Sequence, residues 1–547
     1  MFEIFKRLKG NPSLFTKILI ASLFVNLLAL ATPIYVIQVL QRYVAYGVTS
    51  TLVTLVTGII FVSIFEFFFR NIRHRITREF EPLNQILADK VMKKLTSIKT
   101  TYYILQKNFR PDVITGYVQT IQSNLSATNI LILIDVPFVL IFLIALYLIH
   151  YQLGLIASIL IFLPVVIVYF YRNKINELNS KNLNSSINHA RLFDNASSRY
   201  DTVRYFNLIN ALKNAWSKLL ENFLIIREDL EANKNVLTSF MSLSSTILTI
   251  TIIAWGAILA VNGEISVGAL IGANILGARA IAPVIRFIQT LEPLYKSTEA
   301  INGINQLLQI PQENESGASI QEFRGNILIK DLHFKYPQSK NPTFVELNCN
   351  VGPGELMVIT GSNGSGKSTL VKVLGSILEF ERGQIFYDQI EINQISLEWL
   401  RKNLTYLPQE PKFVDGTLLD NLIGLRNIKK DEMTKILSSV DLSDFVNADP
   451  SGINMILNNR GEDLPFGIRK RAALARALVV GGQVVLFDEP TESIDERGRD
   501  AIYKLIAELI NREKTVIISS QDKEIINIAD IKINLDKKPV PEITERK

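Results

Sequence analysis

Six stretches of this chain stay apolar over the ~20 residues a helix needs to cross a hydrocarbon layer, and no other feature limits the fold as tightly. They fall at roughly 15–38, 51–69, 129–149, 153–171, 236–261 and 266–289. In lipid every backbone polar group must find its partner within the protein, so spans of this kind read as a helical bundle. The first span comes after "KRLKG" and contains Ala29-Leu30-Ala31, which could pass for a signal peptide with its cleavage site. Apolar character continues through "TPIYVIQVL" and five more spans lie beyond it, so the stretch reads as a span.

Lys and Arg set the orientation. Lys6, Arg7 and Lys9 precede the first span, and the long connections at about 70–128 and 172–235 are basic, with Arg70, Arg73, Arg75, Arg78, Lys93 and Lys94 in the first. The other connections are short and nearly free of Lys and Arg. Both termini are therefore expected in the cytoplasm of a multi-pass protein. Each long connection is expected to extend two helices into the cytosol and to end in a short helix touching the more C-terminal part of the chain. The formal net charge of +6 lies largely in loops beside spans, where topology requires it, so no nucleic-acid partner is expected. The single cysteine, Cys349, excludes an intrachain disulfide and a cysteine metal cluster. Two acids fall in or near spans. Glu66 can reach water or a neighbouring Arg. Asp135, in "LIDVPFVL", is deeper, and is expected to bond backbone freed near Pro137 rather than to form a transport site.

Beyond about residue 296 the chain becomes polar and turn-rich in "QIPQENESGASIQEF", and from 326 short β-branched runs alternate with helical stretches. The organisation expected is an all-α six-helix transmembrane domain over 1–305, a linker over 306–325 and an α/β domain with a mostly parallel sheet over 326–547. "VITGSNGSGKSTLVKVL" reads as strand, loop and helix. Its loop runs through Gly361, Ser362, Asn363, Gly364, Ser365 and Gly366 to Lys367, Ser368 and Thr369. Such a loop closes backbone N–H groups around phosphate, the Lys reaches the β- and γ-phosphates, and the Ser hydroxyl takes Mg²⁺. ATP and Mg²⁺ are the ligands implied. "VVLFDEP" is an apolar strand ending in two acids, where Asp488 would hold Mg²⁺ and Glu489 would polarise the attacking water.

With these motifs in place the chain resembles the ATP-binding cassette transporters over nearly its whole length, in the layout of an exporter half-transporter. The resemblance implies that Tyr336 in "FKYP" stacks on adenine, with strand packing as the plain alternative. It also implies that Gln409 in "YLPQEPKFVDGT" contacts Mg²⁺ and that Asp495 in "SID" belongs to the D-loop. "LALATPIYVIQVLQRY", "LIDVPFVLIFLIALYLI" and "GEISVGALIGANILGARAIAP" look like the permease/ATPase of bacterial type I secretion systems. The implied function is ATP-driven export of a polypeptide across the bacterial inner membrane. The implied partners are a second half-transporter, a periplasmic adaptor, an outer-membrane channel, the exported polypeptide and membrane lipids. The first span begins near residue 15, so no peptidase-like domain is expected before it, which points to cargo with an uncleaved C-terminal signal. A lipid or drug exporter of the same architecture and a weakly hydrolysing regulatory or scaffold subunit remain as alternative readings.

Two departures from the family pattern stand out. The signature L-S-G-G-Q, which completes the partner's ATP site, reads Leu464-Pro465-Phe466-Gly467-Ile468, so that Gly467 survives without the serine hydroxyl or the first glycine. Pro is tolerated in a helix's first turn, where Pro465 is expected to sit. Gln521 stands where relatives carry a histidine that contacts the γ-phosphate, and an amide can donate a hydrogen bond but carries no charge. Slow hydrolysis in a homodimer, or pairing with a different half-transporter, is the expectation.

Overall fold

A computed structural model describes residues 10–79, 82–105, 111–197, 199–313, 316–337, 339–424 and 426–546. The chain divides into two compact units, Met1–Thr96 with Arg110–Gln309, and Ser97–Phe109 with Ile310–Lys547.

The first unit is helical, and among its described residues six helices are long and apolar enough to span a membrane: Pro12–Val44, Thr49–Arg78, Ala127–Ile149, Tyr151–Asp194, Ile209–Val261 and Val267–Gln309. The third is interrupted at Pro137, which has no N–H to donate, and the chain passes through a 3₁₀ turn at Val136–Phe138 between Ala127–Asp135 and Val139–Ile149. The helices Tyr151–Ser197 and Ile209–Val261 have 47 and 53 residues, far more than the ~20 a bilayer requires. They run on beyond their apolar windows, as the long basic connection led us to expect. Small residues let the spans approach closely. A Cβ on Gly272 would lie 2.3 Å from Ile37 Cγ1 of the first span, and one on Gly277 would lie 2.4 Å from Ile252 Cδ1. Leu146, Leu153, Ala157, Ile252 and Ala273 are wholly buried between them.

The structure corrects the reading of Asp135. Its carboxylate bonds Arg73 Nη1 at 2.5 Å, and Asn26 Nδ2 lies 3.5 Å away. Arg73 Nη1 also lies 3.4 Å from Ser22 Oγ. The guanidinium, assigned from sequence to a basic connection, is therefore buried among the first three spans and neutralises the intramembrane acid. A charge-assisted bond of this kind satisfies a carboxylate better than backbone freed near a proline. Glu66 pairs with Arg70 one turn on, at 2.5 Å.

The short helix Thr100–Leu105 belongs to the second unit, where Ile98 bridges to Gln312 and Lys99 Nζ meets Glu379 Oε1 at 2.5 Å. The corresponding helix of the second long connection, Tyr200–Tyr205, lies in the first unit. Tyr205 and Phe206 at its end are 89% and 68% exposed.

The second unit holds two principal sheets. An antiparallel one has the order β2-β1-β4-β5, from β1 (Ile327–Phe334), β2 (Phe344–Val351), β4 (Arg382–Tyr387) and β5 (Ile390–Glu391). The other has the order β12-β11-β3-β10-β9-β6 and is parallel except at β12. Its strands are β3 (Leu356–Thr360), β6 (Leu404–Leu407), β9 (Val484–Asp488), β10 (Thr515–Ser519), β11 (Ile531–Asn534) and β12 (Glu542–Glu545). A short ladder joins β7 (Gly416–Thr417) to β8 (Ile456–Leu457). β9 and β10 are buried at every position, as strands of a parallel sheet covered on both faces are. The register pairs Ser519 of β10 with Ile359 of β3 and with Asp488 of β9, so three strands end at the same level. Ligands of open α/β sheets bind beyond such carboxyl ends.

Candidate ATP-binding site

Beyond those strand ends lies a cavity of about 820 Å³. The loop after β3 forms one wall. Gly361 and Gly366 have φ of 143° and 114°, a region that L side chains rarely adopt, and Gly366 leads directly into the helix Lys367–Leu374. The N–H groups that open this helix have no partner within it, which suits them to an anion. Lys367 is buried, and its Nζ donates to Gly361 O at 2.8 Å and lies 3.2 Å from Glu489 Oε1.

β9 delivers the two acids. Asp488 is wholly buried, and its Oδ1 accepts from Ser368 Oγ at 3.0 Å and Ser519 Oγ at 2.5 Å. Its Oδ2 is buried without a hydrogen-bond partner. Ser368 Oγ is also 3.4 Å from Gln409 Oε1. A carboxylate oxygen left free, a hydroxyl and an amide oxygen form a donor set that a hard cation such as Mg²⁺ accepts, with waters completing its shell. No group of three or more His, Cys, Asp and Glu side chains forms a metal cage among the described residues.

Glu489 has a left-handed backbone, φ 49°, and its N–H donates to Ser519 O at 2.9 Å. Burial raises its carboxyl above the usual range, against the pull of Lys367 and with help from Glu492 and Asp488. A glutamate shifted this way is a better proton acceptor near neutral pH.

The structure brings Tyr336, Ser362, Asn363, Gly364, Gly366, Lys367, Ser368, Thr369, Gln409, Glu489 and Gln521 to the walls of this one cavity. Asp488, Gly361 and Ser365 lie behind its lining, tied to it by the bonds described above and by Ser365 N–H to Ser362 O at 3.1 Å. Tyr336 serves both readings made of it, since its ring packs edge-on against Phe334, its OH is 2.9 Å from Thr369 Oγ1, and it also borders the cavity. Gln409 Nε2 donates to Glu492 Oε2 at 3.0 Å. Gln521 Nε2 is spent on the phosphate loop, donating to Gly361 O at 3.1 Å and Asn363 Oδ1 at 3.0 Å.

Gly467 and Asp495 are not among the residues that line this cavity. Gly467 is in the first turn of the helix Phe466–Val480, and Asp495 caps the helix Glu496–Asn511 and pairs with Arg471. Pro465 stands just outside the helix, at the N-cap position with φ −54° and ψ 142°, one residue earlier than a first-turn proline. The Phe466 ring is flanked by Arg469 and Lys470, whose charged groups lie 5.4 and 5.7 Å from its centre.

Asp536 and Lys470 are among the residues that escaped the sequence reading. Asp536, just past β11, accepts from both N and Oγ of Ser362, at 2.7 and 2.6 Å. Lys470 is wholly buried and donates to the carbonyls of Glu489 and Glu492. Burial lowers its pKa to about 8, while Glu492, Glu489 and Asp488 pull it back up. The signal was present, because Lys470 shares a helix face with the buried residues Ala473, Leu474 and Ala477 at spacings of three, four and seven.

Comparison with known proteins agrees with this geometry. Residues 15–278 match the ABC transporter transmembrane region and residues 344–492 the ABC transporter domain. The chain belongs to the ABC transporters, with membrane-spanning and ATP-binding parts on one polypeptide. Within that family it is similar to translocation proteins. It is 26% identical over 511 residues to the alpha-hemolysin translocation ATP-binding protein HlyB of Escherichia coli O157:H7, covering 92% of this chain and 72% of that one. It is 25% identical over 535 residues to the exotoxin translocation ATP-binding protein PaxB of Pasteurella aerogenes, covering 96% and 74%. A bacterial Atm1-family ABC exporter solved with ATP bound shares the fold, with a TM-score of 0.82 at 19% identity over 98% of this chain and 95% of that one. The chain is thus an ABC exporter, an ATP-driven transporter in the membrane.

Proposed function

We propose that this protein is the permease/ATPase half-transporter of a type I secretion system. It moves a polypeptide across the bacterial inner membrane with both termini in the cytoplasm. An adaptor, an outer-membrane channel and a second half-transporter complete the path. The relatives named above support this reading. The observation that carries the energetic part is the assembly of Lys367, Ser368, Asp488 and Glu489 around one cavity. Lys367 and the loop amides hold the phosphates, Ser368, Gln409 and Asp488 hold Mg²⁺, and Glu489 orients and deprotonates the attacking water. Bound Mg²⁺ supplies charge neutralisation at the phosphate oxygens.

Pro465, Phe466 and Gln521 support the finer claim that this chain is the degenerate half of a heterodimer. Its own phosphate loop is complete, and the segment offered to a partner lacks a γ-phosphate ligand. The test is ATP hydrolysis by the chain alone in lipid, with Glu489→Gln as the control. Turnover abolished by that substitution would show that a homodimer fires and would remove the reason for a partner. Turnover no greater than the control, in protein that still binds ATP, would support a partner's signature.

One observation favours a lipid or drug exporter as the second reading. A cavity of about 410 Å³ opens inside the helical unit, with Val168, Leu237, Met241 and Ile288 as apolar lining and Arg172 and Glu292 as polar lining. Stimulation of hydrolysis by small amphiphiles, with no adaptor present, would decide for it.

A further inference from the structure

The turn that carries the candidate catalytic glutamate is strained and closed around a buried ammonium. Glu489 and Ser493 both have left-handed backbones, with φ of 49° and 59°, although neither is glycine. Such residues persist only where their surroundings hold them. Glu492 N–H bonds back to Glu489 O at 3.3 Å, closing the turn. Lys470 Nζ enters it from the helix Phe466–Val480 and donates to Glu489 O and, at 3.0 Å, to Glu492 O. An ammonium has three N–H donors and no acceptor. Two of these donors are spent on the turn, and the Phe466 ring lies 5.7 Å away on another side. The next residue of the helix, Arg471, pairs with Asp495 just beyond the turn and with Asp441 at 2.9 Å. The helix therefore grips the turn at successive points, and Lys470 is the one within it.

We infer that Lys470 is a positioning residue for hydrolysis: it holds the backbone of Glu489 in its left-handed conformation and ties the main chain of that residue to the helix that begins at Phe466. The inference rests on the reading of Glu489 as the catalytic base. Its consequence is communication within one chain. The start of that helix is the surface the family pattern presents to a partner's nucleotide, and the far end of the Lys470 side chain bears on this chain's own base. A shift of the helix transmits to Glu489 O through one side chain, with no change in the phosphate loop. A lysine that only filled a core position would do none of this, and its loss would weaken the fold without separating binding from turnover.

The test uses the full-length protein in lipid nanodiscs, comparing wild type, Lys470→Met and Lys470→Arg. Met keeps the unbranched bulk and removes every donor, whereas Arg keeps charge and donors. We expect Lys470→Met to lower kcat for ATP by at least about tenfold, as loss of a positioning contact does, with KM within about twofold, and Lys470→Arg to recover part of the loss. Amide hydrogen exchange over Glu489–Asp495 should speed up at least about tenfold in the Met variant while the phosphate-loop helix exchanges as before. Unchanged kcat and exchange, or a raised KM at unchanged kcat, overturns the inference. If the wild type hydrolyses no faster than Glu489→Gln, the chain alone has no turnover to compare, as a required partner's signature would produce, and the exchange result alone decides whether the clamp exists. Should the Met variant lose ATP binding, Lys470→Leu, which also removes every donor, goes through the same exchange measurement: faster exchange confirms the tie and unchanged exchange overturns it.

Discussion

The Arg73–Asp135 pair gives a sharp quantitative test of how the helical unit is held together. The two side chains are 9% and 21% exposed and meet at 2.5 Å, with Ser22 and Asn26 of the first span beside them. Removing one partner of a buried pair leaves an uncompensated charge and costs ~3–5 kcal/mol. The one-fifth exposure of Asp135 puts the expectation for Arg73→Met at the low end, about 3 kcal/mol. Replacing both partners with apolar residues of similar volume is often neutral, so Arg73→Met/Asp135→Leu should recover most of that loss. An ordinary interhelical hydrogen bond in a membrane is worth only ~0.6 kcal/mol, which leaves a wide margin between the two explanations. The assay is equilibrium unfolding in mixed micelles over the complete double-mutant cycle. Single losses below ~1 kcal/mol, or losses that simply add in the double variant, would refute the pairing as a stabilising feature. The same double variant tests function. If Asp135 is structural, protein with both charges removed still couples ATP hydrolysis to transport, whereas a transport carboxylate would leave it folded and inactive.

Other expected outcomes bear on the ATP-binding unit. Chelating Mg²⁺ should abolish turnover, and Ser368→Ala should raise the Mg²⁺ needed for half-maximal hydrolysis, because it removes one oxygen from a small donor set; titrating Mg²⁺ at fixed ATP measures this. Pro465→Ser with Phe466→Gly, in an otherwise native chain, should raise homodimer turnover by ~10²-fold or more, the scale on which single transition-state donors act, and a steady-state rate unchanged by the pair of substitutions would count against the role given to the signature. The Cys349 thiol is pushed up to about 12 by burial, so it is protonated at pH 8, and maleimide should label it only after unfolding; mass spectrometry of native and denatured protein separates the two.

The spans and the phosphate loop were legible because each is written in contiguous residues. An apolar run of some twenty residues has few fates, and "GSNGSGKST" carries its own backbone requirements. What could not be read was what folding brings together. Asp135 was visible as an acid in a span, but nothing local says that its partner is 62 residues earlier in a stretch that reads as a basic connection. Asp536 is an ordinary acid after a strand until the sheet places it beside Ser362, 174 residues upstream. Pro465 reads as a first-turn residue. It falls at the N-cap because its ψ of 142° is extended, and the helix begins one residue later. Lys470 is an intermediate case, since periodicity places it on a buried face without naming the carbonyls that it reaches.

The two departures from the family pattern differ in kind, and the structure gives the reason. Gln521 lines this chain's own cavity, and its amide donates to Gly361 O and Asn363 Oδ1 of the phosphate loop, so the change is local. Pro465 is at the head of another helix, with no side-chain capping bond and its neighbour Phe466 flanked by cations. Nothing about that substitution disturbs Asp488, Ser368 or Lys367, whose bonds are all made within the strand ends and the loop. The helix that Pro465 precedes reaches the turn of Glu489 through Lys470. On the proposed reading, a chain that lacks the ligand it would offer to another nucleotide keeps the arrangement around its own, provided the helix remains in register behind Glu489.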